Sequence, residues 1–121
     1  MKIFGHEWIE SEDFYEVFTI EEIAQTPANS LLQLVPLEKS LALAKYCQKN
    51  ALRYALVISS IEEAIFANLL NATYVICEKE LAKELMPIAQ NYLFDTQVLA
   101  DIVKDEIEEM AKSGVDGVIL S

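Results

Sequence analysis

The chain has 121 residues, 53% of them hydrophobic, with only three Gly and three Pro; this is one ordinary domain, and disordered and fibrous classes are excluded. Twenty Asp and Glu against nine Lys and Arg give a net charge of −11, a field that repels phosphate and argues against nucleic acid and anionic membrane as partners. No stretch approaches the ~20 apolar residues of a membrane span and Met1–Glu10 lacks a signal-peptide core, so the expectation is a soluble, cytoplasmic protein.

Residues 1–30 are acidic and aromatic. Glu7, Glu10, Glu12, Asp13, Glu16, Glu21 and Glu22 are opposed by Lys2 alone, and Phe4, Trp8, Phe14, Tyr15 and Phe18 are interspersed. Thr19 and Glu22 have capping-box spacing for a short helix ending before Pro27. The segment reads as an appendage, with room for one extra strand, on an α/β domain spanning 31–121. Trp8, Phe14 and Phe18 are its candidate interface residues.

From residue 31 apolar runs alternate with helical spacing. Leu31–Val35 is the first run, followed by a helix with Leu37, Leu41, Ala44 and Cys47 on one stripe. Tyr54–Ile58 is the second run, and Ile61, Ile65 and Leu69 trace the next helix. Thr73–Cys77 precedes a helix marked by Leu81, Leu85, Ile88 and Tyr92. Gln97–Ala100 precedes one marked by Ile107, Met110 and Ala111, and Gly117–Leu120 is the last run. Continuous runs suit strands buried on both faces, and the intervals suit crossover helices. The expected fold is therefore a single-domain three-layer α/β sandwich, Rossmann-like or flavodoxin-like, with a mostly parallel five-stranded sheet.

Helix punctuation agrees. Ser60 and Glu63 form a capping box, Asp105 and Glu108 a weaker one, and Gly114 stands where a left-handed helix-ending residue is wanted. Pro87 falls inside the third helix of the 31–121 segment, where a kink or a break into two pieces is expected.

Ligand sites of parallel sheets lie beyond the carboxyl ends of the strands. Glu78 and Asp101 fall there as a possible carboxylate pair, for acid–base work or Mg²⁺, together with Ser59 and Ser60. Ser60 is more readily a cap than a nucleophile, and His6 is the only imidazole in the chain. The first turn of the domain, Val35-Pro36-Leu37-Glu38-Lys39, has no glycine to admit a pyrophosphate; a P-loop and a Cys-x-x-Cys pair are also missing. Cys47 and Cys77 lie in apolar surroundings and read as buried, unpaired and unreactive. No cofactor is expected.

The length and βα count resemble a response-regulator receiver domain. The positions where that family carries its acidic pair, phospho-accepting Asp and Lys hold Pro36 and Leu37, Glu78, and Ser121 instead, so its chemistry is not carried over. Residues 98–120, from Val98-Leu99-Ala100-Asp101 through Glu106–Ala111 to Gly114-Val115-Asp116-Gly117-Val118-Ile119, resemble late βα units of phosphate-binding (β/α)8 barrels such as indole-3-glycerol-phosphate synthase. A complete barrel of that kind needs roughly 250 residues, and the Gly-x-Asp-Gly turn is also a sound helix-to-strand turn. The chain as a whole resembles short bacterial proteins from which no activity transfers.

These features favour a non-catalytic α/β domain that acts through a protein partner or through self-association as a homodimer. The alternative is a small-ligand or Mg²⁺-dependent site built from Glu78, Asp101, Ser59 and Ser60.

Overall fold

A computed structural model describes all residues, Met1–Ser121. Seven strands form one all-parallel sheet: β1 (Lys2–Phe4), β2 (Phe14–Glu16), β3 (Leu31–Leu34), β4 (Tyr54–Val57), β5 (Tyr74–Glu78), β6 (Gln97–Ile102) and β7 (Gly117–Leu120). Five helices connect them: α1 (Ile20–Ala24), α2 (Leu37–Lys49), α3 (Ile61–Leu69), α4 (Lys79–Asn91) and α5 (Ile107–Ser113). The spatial order is β1-β7-β6-β5-β4-β3-β2.

That order corrects the expected five-stranded, three-layer sandwich. From β2 to β7 each new strand is laid on the same side of the previous one. Right-handed crossovers that always step the same way place every helix on the same face of the sheet. The buried residues of the helices, such as Ala44, Cys47, Ala64, Ala67, Leu85 and Met110, accordingly join one core with the outward-facing strand residues. The opposite face has no helix. Its core is built from strand residues alone: Phe4, Leu31, Ala55, Tyr74, Ile76 and Leu99. The sheet is a half-barrel, and its inward side chains must bury one another.

Residues 1–30 supply the two additional strands, which are the two edges of the sheet. Phe4 on β1 and Phe14 on β2 stand at opposite edges, yet their ring centroids are 5.0 Å apart. The sheet thus curls until its edges meet through side chains. Lys2 Nζ reaches across the same face to the Tyr74 hydroxyl at 2.5 Å, and Arg53, just ahead of β4, pairs with Glu12 at 2.6 Å. Gly117 is required on this face, because a Cβ there would lie 2.8 Å from the Lys2 carbonyl and 2.7 Å from Leu99.

The helix signals are realised with two changes. Thr19 and Ser60 Oγ accept the Glu22 and Glu63 N–H groups at 3.1 and 3.2 Å. The Asp105–Glu108 device does not form: Lys104–Glu106 is a short 3-10 turn, Glu106 accepts the Val103 N–H at 3.1 Å, and α5 begins after it. Nor does Pro87 divide its helix; α4 runs through it as one element. Ala82, Leu85, Met86 and Ala89 are all buried against the sheet, and this packing offsets the ~3 kcal/mol local cost of an interior proline.

The turns that follow α2, α3, α4 and α5 share one geometry. Ala51, Asn71, Leu93 and Gly114 adopt φ of 53°, 61°, 53° and 77°. The next N–H groups, of Leu52, Ala72, Phe94 and Val115, return to the carbonyls of Cys47, Ala67, Ala89 and Met110. This is the Schellman arrangement, in which an apolar residue after the left-handed one packs back on the last turn.

Candidate functional site

The carboxyl ends of the strands hold three of the four predicted ligand residues. Glu78 closes β5 and is the register neighbour of Asp101 on β6. Alternation along both strands sends Val75, Cys77, Ala100 and Ile102 to the helix side, which places Glu78 and Asp101 on the concave side. Ser59 joins them on the wall of a cleft of about 350 Å³ whose floor is Val57 and Ile76. No residue of the 1–30 segment lines this cleft.

Its chemistry is sparse. Both carboxylates are exposed, and neither takes part in any of the six ion pairs of the chain. Ser60 does not face the cleft chemistry; it caps α3. Ser59 is engaged by the same cap, its N–H and Oγ both donating to the Glu63 carboxylate at 3.1 and 3.0 Å. His6, the only imidazole, accepts the Trp8 N–H on Nδ1 at 3.0 Å. Cys77 lines the cleft but is buried and free. Burial, followed by the charge of Glu78, pushes its thiol up to about 12. Cys47 is pushed up by burial to about 11. Neither is a thiolate near neutral pH. No group of three or more His, Cys, Asp or Glu side chains is placed to hold a metal ion, and every buried side-chain nitrogen and oxygen has a hydrogen-bond partner.

The Gly-x-Asp-Gly turn is explained part by part. Gly114 takes the left-handed position, and Gly117 admits β1. Between them, Asp116 Oδ2 accepts the Val98 N–H at 2.7 Å and its own N–H returns to the Val98 carbonyl at 3.1 Å. The motif stitches β6 to β7.

The predicted interface aromatics separate. Phe14 is half-buried against Phe4 in the concave core. Trp8 is 82% exposed, with His6 edge-on at 5.2 Å and the Lys104 ammonium at 5.9 Å from its ring. Phe18 is exposed just before α1.

A second surface lies on the helix layer. Between α2 and α3 runs a groove of about 580 Å³, floored by Leu37, Leu41, Phe66, Leu69 and Leu70 and rimmed by Glu38, Lys45, Glu62 and Glu63. Phe66 is 48% and Leu69 65% exposed. The expected apolar stripe Ile61–Ile65–Leu69 is not the buried face of α3. Ala64 and Ala67, both fully buried, face the sheet instead. Small residues let the helix sit close to the strands and leave the large side chains outside. The signal was available: Ile61–Leu70 carries apolar residues on every side, which marks a helix with more than one apolar neighbour.

On the same helix layer, the groove between α4 and α5 is closed by charge. Lys79 of α4 pairs with Glu106 and, at 3.4 Å, with Glu109, while Lys83 reaches Glu109 at 2.5 Å and Glu80 at 3.6 Å. Hydrogen bonds from these lysines hold both Glu106 and Glu109 below the usual carboxylate range.

No known protein family matches this sequence, and no curated protein matches it either. No helix is long and apolar enough to cross a membrane.

Proposed function

We propose that this is a non-catalytic domain that acts by contact with protein, and that its working surface is apolar. The observation that carries this is the open α2–α3 groove, where Leu41, Phe66 and Leu69 stand exposed together on a chain of net charge −11. An acidic chain has ample charge to cover such a surface, and contiguous exposed apolar side chains rimmed by polar ones mark contact sites. The strand-end cleft supports catalysis poorly, since its one serine, Ser59, is bound to the Glu63 carboxylate and its thiol is held protonated. Two reduced, buried cysteines also suit a reducing, cytoplasmic compartment.

The competing reading is a small-ligand or Mg²⁺ site at Glu78 and Asp101, favoured by their adjacency on one cleft wall. Thermal shift against Mg²⁺, inorganic phosphate and sugar phosphates separates the two. No shift is expected, in the parent chain or in a Glu78→Ala/Asp101→Ala variant. A saturable shift that the double variant abolishes overturns the protein-contact reading and establishes the ligand site.

A further inference from the structure

We infer that the occupant of the α2–α3 groove is the same groove of a second copy of this chain, packed about a two-fold axis passing near Leu41 and Phe66. This rests on the protein-contact reading above and adds the surface, the partner and the orientation.

Charge is laid along the groove in a fixed order. Glu38, Leu41 and Lys45 form one stripe of α2, distinct from the buried stripe of Ser40, Leu43, Ala44 and Cys47. Glu62 and Phe66 are the matching positions on α3. The acids lie at the amino-terminal ends of both helices, and Lys45, the groove's one cation, lies two turns further on. Glu38, Lys45 and Glu62 belong to none of the six ion pairs. At 1.5 Å rise per residue, Glu38 and Lys45 are separated by roughly 10 Å along the axis, with Leu41 near the midpoint.

A groove with this pattern is complementary to itself when reversed. A two-fold axis at its middle runs the second copy antiparallel. Each Lys45 then comes over the acidic end, Glu38 and Glu62, of the other copy, while Leu41, Phe66 and Leu69 of both copies meet in the centre. A parallel copy would set acid against acid. This is the isologous arrangement, in which one patch serves both subunits. The apolar centre provides affinity, and the paired ends fix orientation.

The α4–α5 groove of the same helix layer behaves in the opposite way. Across α4 and α5 the two lysines that face the groove, Lys79 and Lys83, already have acidic partners within the chain. In the α2–α3 groove Glu38 and Lys45 stand on the same stripe of α2, roughly 10 Å apart along the axis, and neither they nor Glu62 of α3 is paired within the chain, which leaves them free for a second copy.

The test is sedimentation equilibrium of the full chain at micromolar concentration in low and moderate salt. The expected result is a dimer of the 13.6 kDa chain that tightens with moderate salt, as the repulsion between two −11 subunits is screened. Lys45→Glu should weaken it about tenfold or more, and adding Glu38→Lys and Glu62→Lys to the same chain should restore it to within about threefold. Phe66→Asp should abolish it. Because Phe66 is half-exposed, its variant should retain the parent melting transition, which a parallel thermal melt checks. A dimer that survives both Phe66→Asp and Lys45→Glu overturns the inference while leaving the protein-contact reading in place, because another face is then responsible. A 13.6 kDa species at both salts overturns it as well, and the ligand titrations above then decide the fate of the broader reading on their own.

Discussion

The helix layer presents two grooves of the same construction and opposite finish. Between α4 and α5, Lys79 and Lys83 reach across to Glu106 and Glu109. Between α2 and α3, Leu41, Phe66 and Leu69 are left facing out, with Lys45 and Glu38 unpaired. Both pairs of helices rest on one parallel sheet through small or medium buried residues, so the fold does not require the difference. It teaches that stability and contact have been assigned to different halves of one surface. Ion pairs between half-exposed chains satisfy a water-facing groove at little energetic gain, whereas an uncovered apolar groove keeps its burial free energy for a partner.

The change with the largest expected effect lies beneath both grooves and sets the scale. Val75 is fully buried in β5, the central strand of the seven. Val75→Asp buries a charge with no partner, and the loss exceeds the ~4–5 kcal/mol of ordinary severe substitutions. Circular dichroism should show no cooperative melt. A soluble variant with a cooperative transition would contradict the placement of β5 at the core.

The comparison itself is broken by making the closed groove resemble the open one. Lys83→Leu with Glu109→Leu removes the pairs made to Glu109, keeps Lys79–Glu106, and leaves apolar side chains between α4 and α5. The weight-average mass should then rise above that of the parent chain by at least one further association step. An unchanged mass would mean that an apolar groove on this layer is insufficient for contact, which weakens the reading of α2–α3 as well.

Acid should act on the two halves unequally. Glu106, held down chiefly by its hydrogen bond from Lys79, and Glu109, held down chiefly by Lys83, both titrate below their ordinary value. A depressed carboxylate contributes stability that is complete above the unfolded value, near pH 4.3, and is lost as pH falls through the folded value. The lysine partners are raised, so their contribution is present below about pH 10.4 and is lost as pH rises through the raised values. Hydrogen exchange should therefore show α5 losing protection below pH 4 before α2 and α3 do. Glu109→Gln should erase that difference.

How much of this was legible in the sequence follows the same division. The five strands from Leu31 to Leu120 declare themselves because each is a continuous apolar run, and Ser60, Thr19 and Gly114 mark helix ends by local chemistry alone. β1 and β2 are three residues each and pair on one side only. Lys2-Ile3-Phe4 and Phe14-Tyr15-Glu16 contain too little apolar pattern to announce a strand inside an acidic segment. The strand-end rule located Glu78, Asp101 and Ser59 together. It had no means of showing that Glu63 takes both the N–H and the hydroxyl of Ser59. The open groove escaped for a geometric reason. Ile61–Ile65–Leu69 and Ala64–Ala67 are both helical stripes, and hydropathy favours the first, but close approach to the strands favours the second.

The smallest effects are expected where the two halves agree, at the left-handed turns that end their helices. Each half has one residue suited to positive φ, Asn71 after α3 and Gly114 after α5, and one unsuited to it, Ala51 after α2 and Leu93 after α4. A β-carbon in this region costs roughly 1–2 kcal/mol, while the greater freedom of glycine when unfolded returns roughly 0.5–1 kcal/mol of any gain. Ala51→Gly and Leu93→Gly should each stabilise by up to about 1 kcal/mol. Leu93 is 83% exposed, so its removal sacrifices almost no burial. Gly114→Ala runs the other way. A Cβ there meets only Gln90 Nε2, at an ordinary 3.9 Å, so the loss of about 1 kcal/mol is conformational rather than steric. Denaturant midpoints of the three variants measure this at unchanged m-value. Equal gains at Ala51 and Leu93 would show that the turns carry the same strain in both halves and that the contrast between the grooves is confined to their surfaces. A gain at only one would place part of that contrast in the backbone.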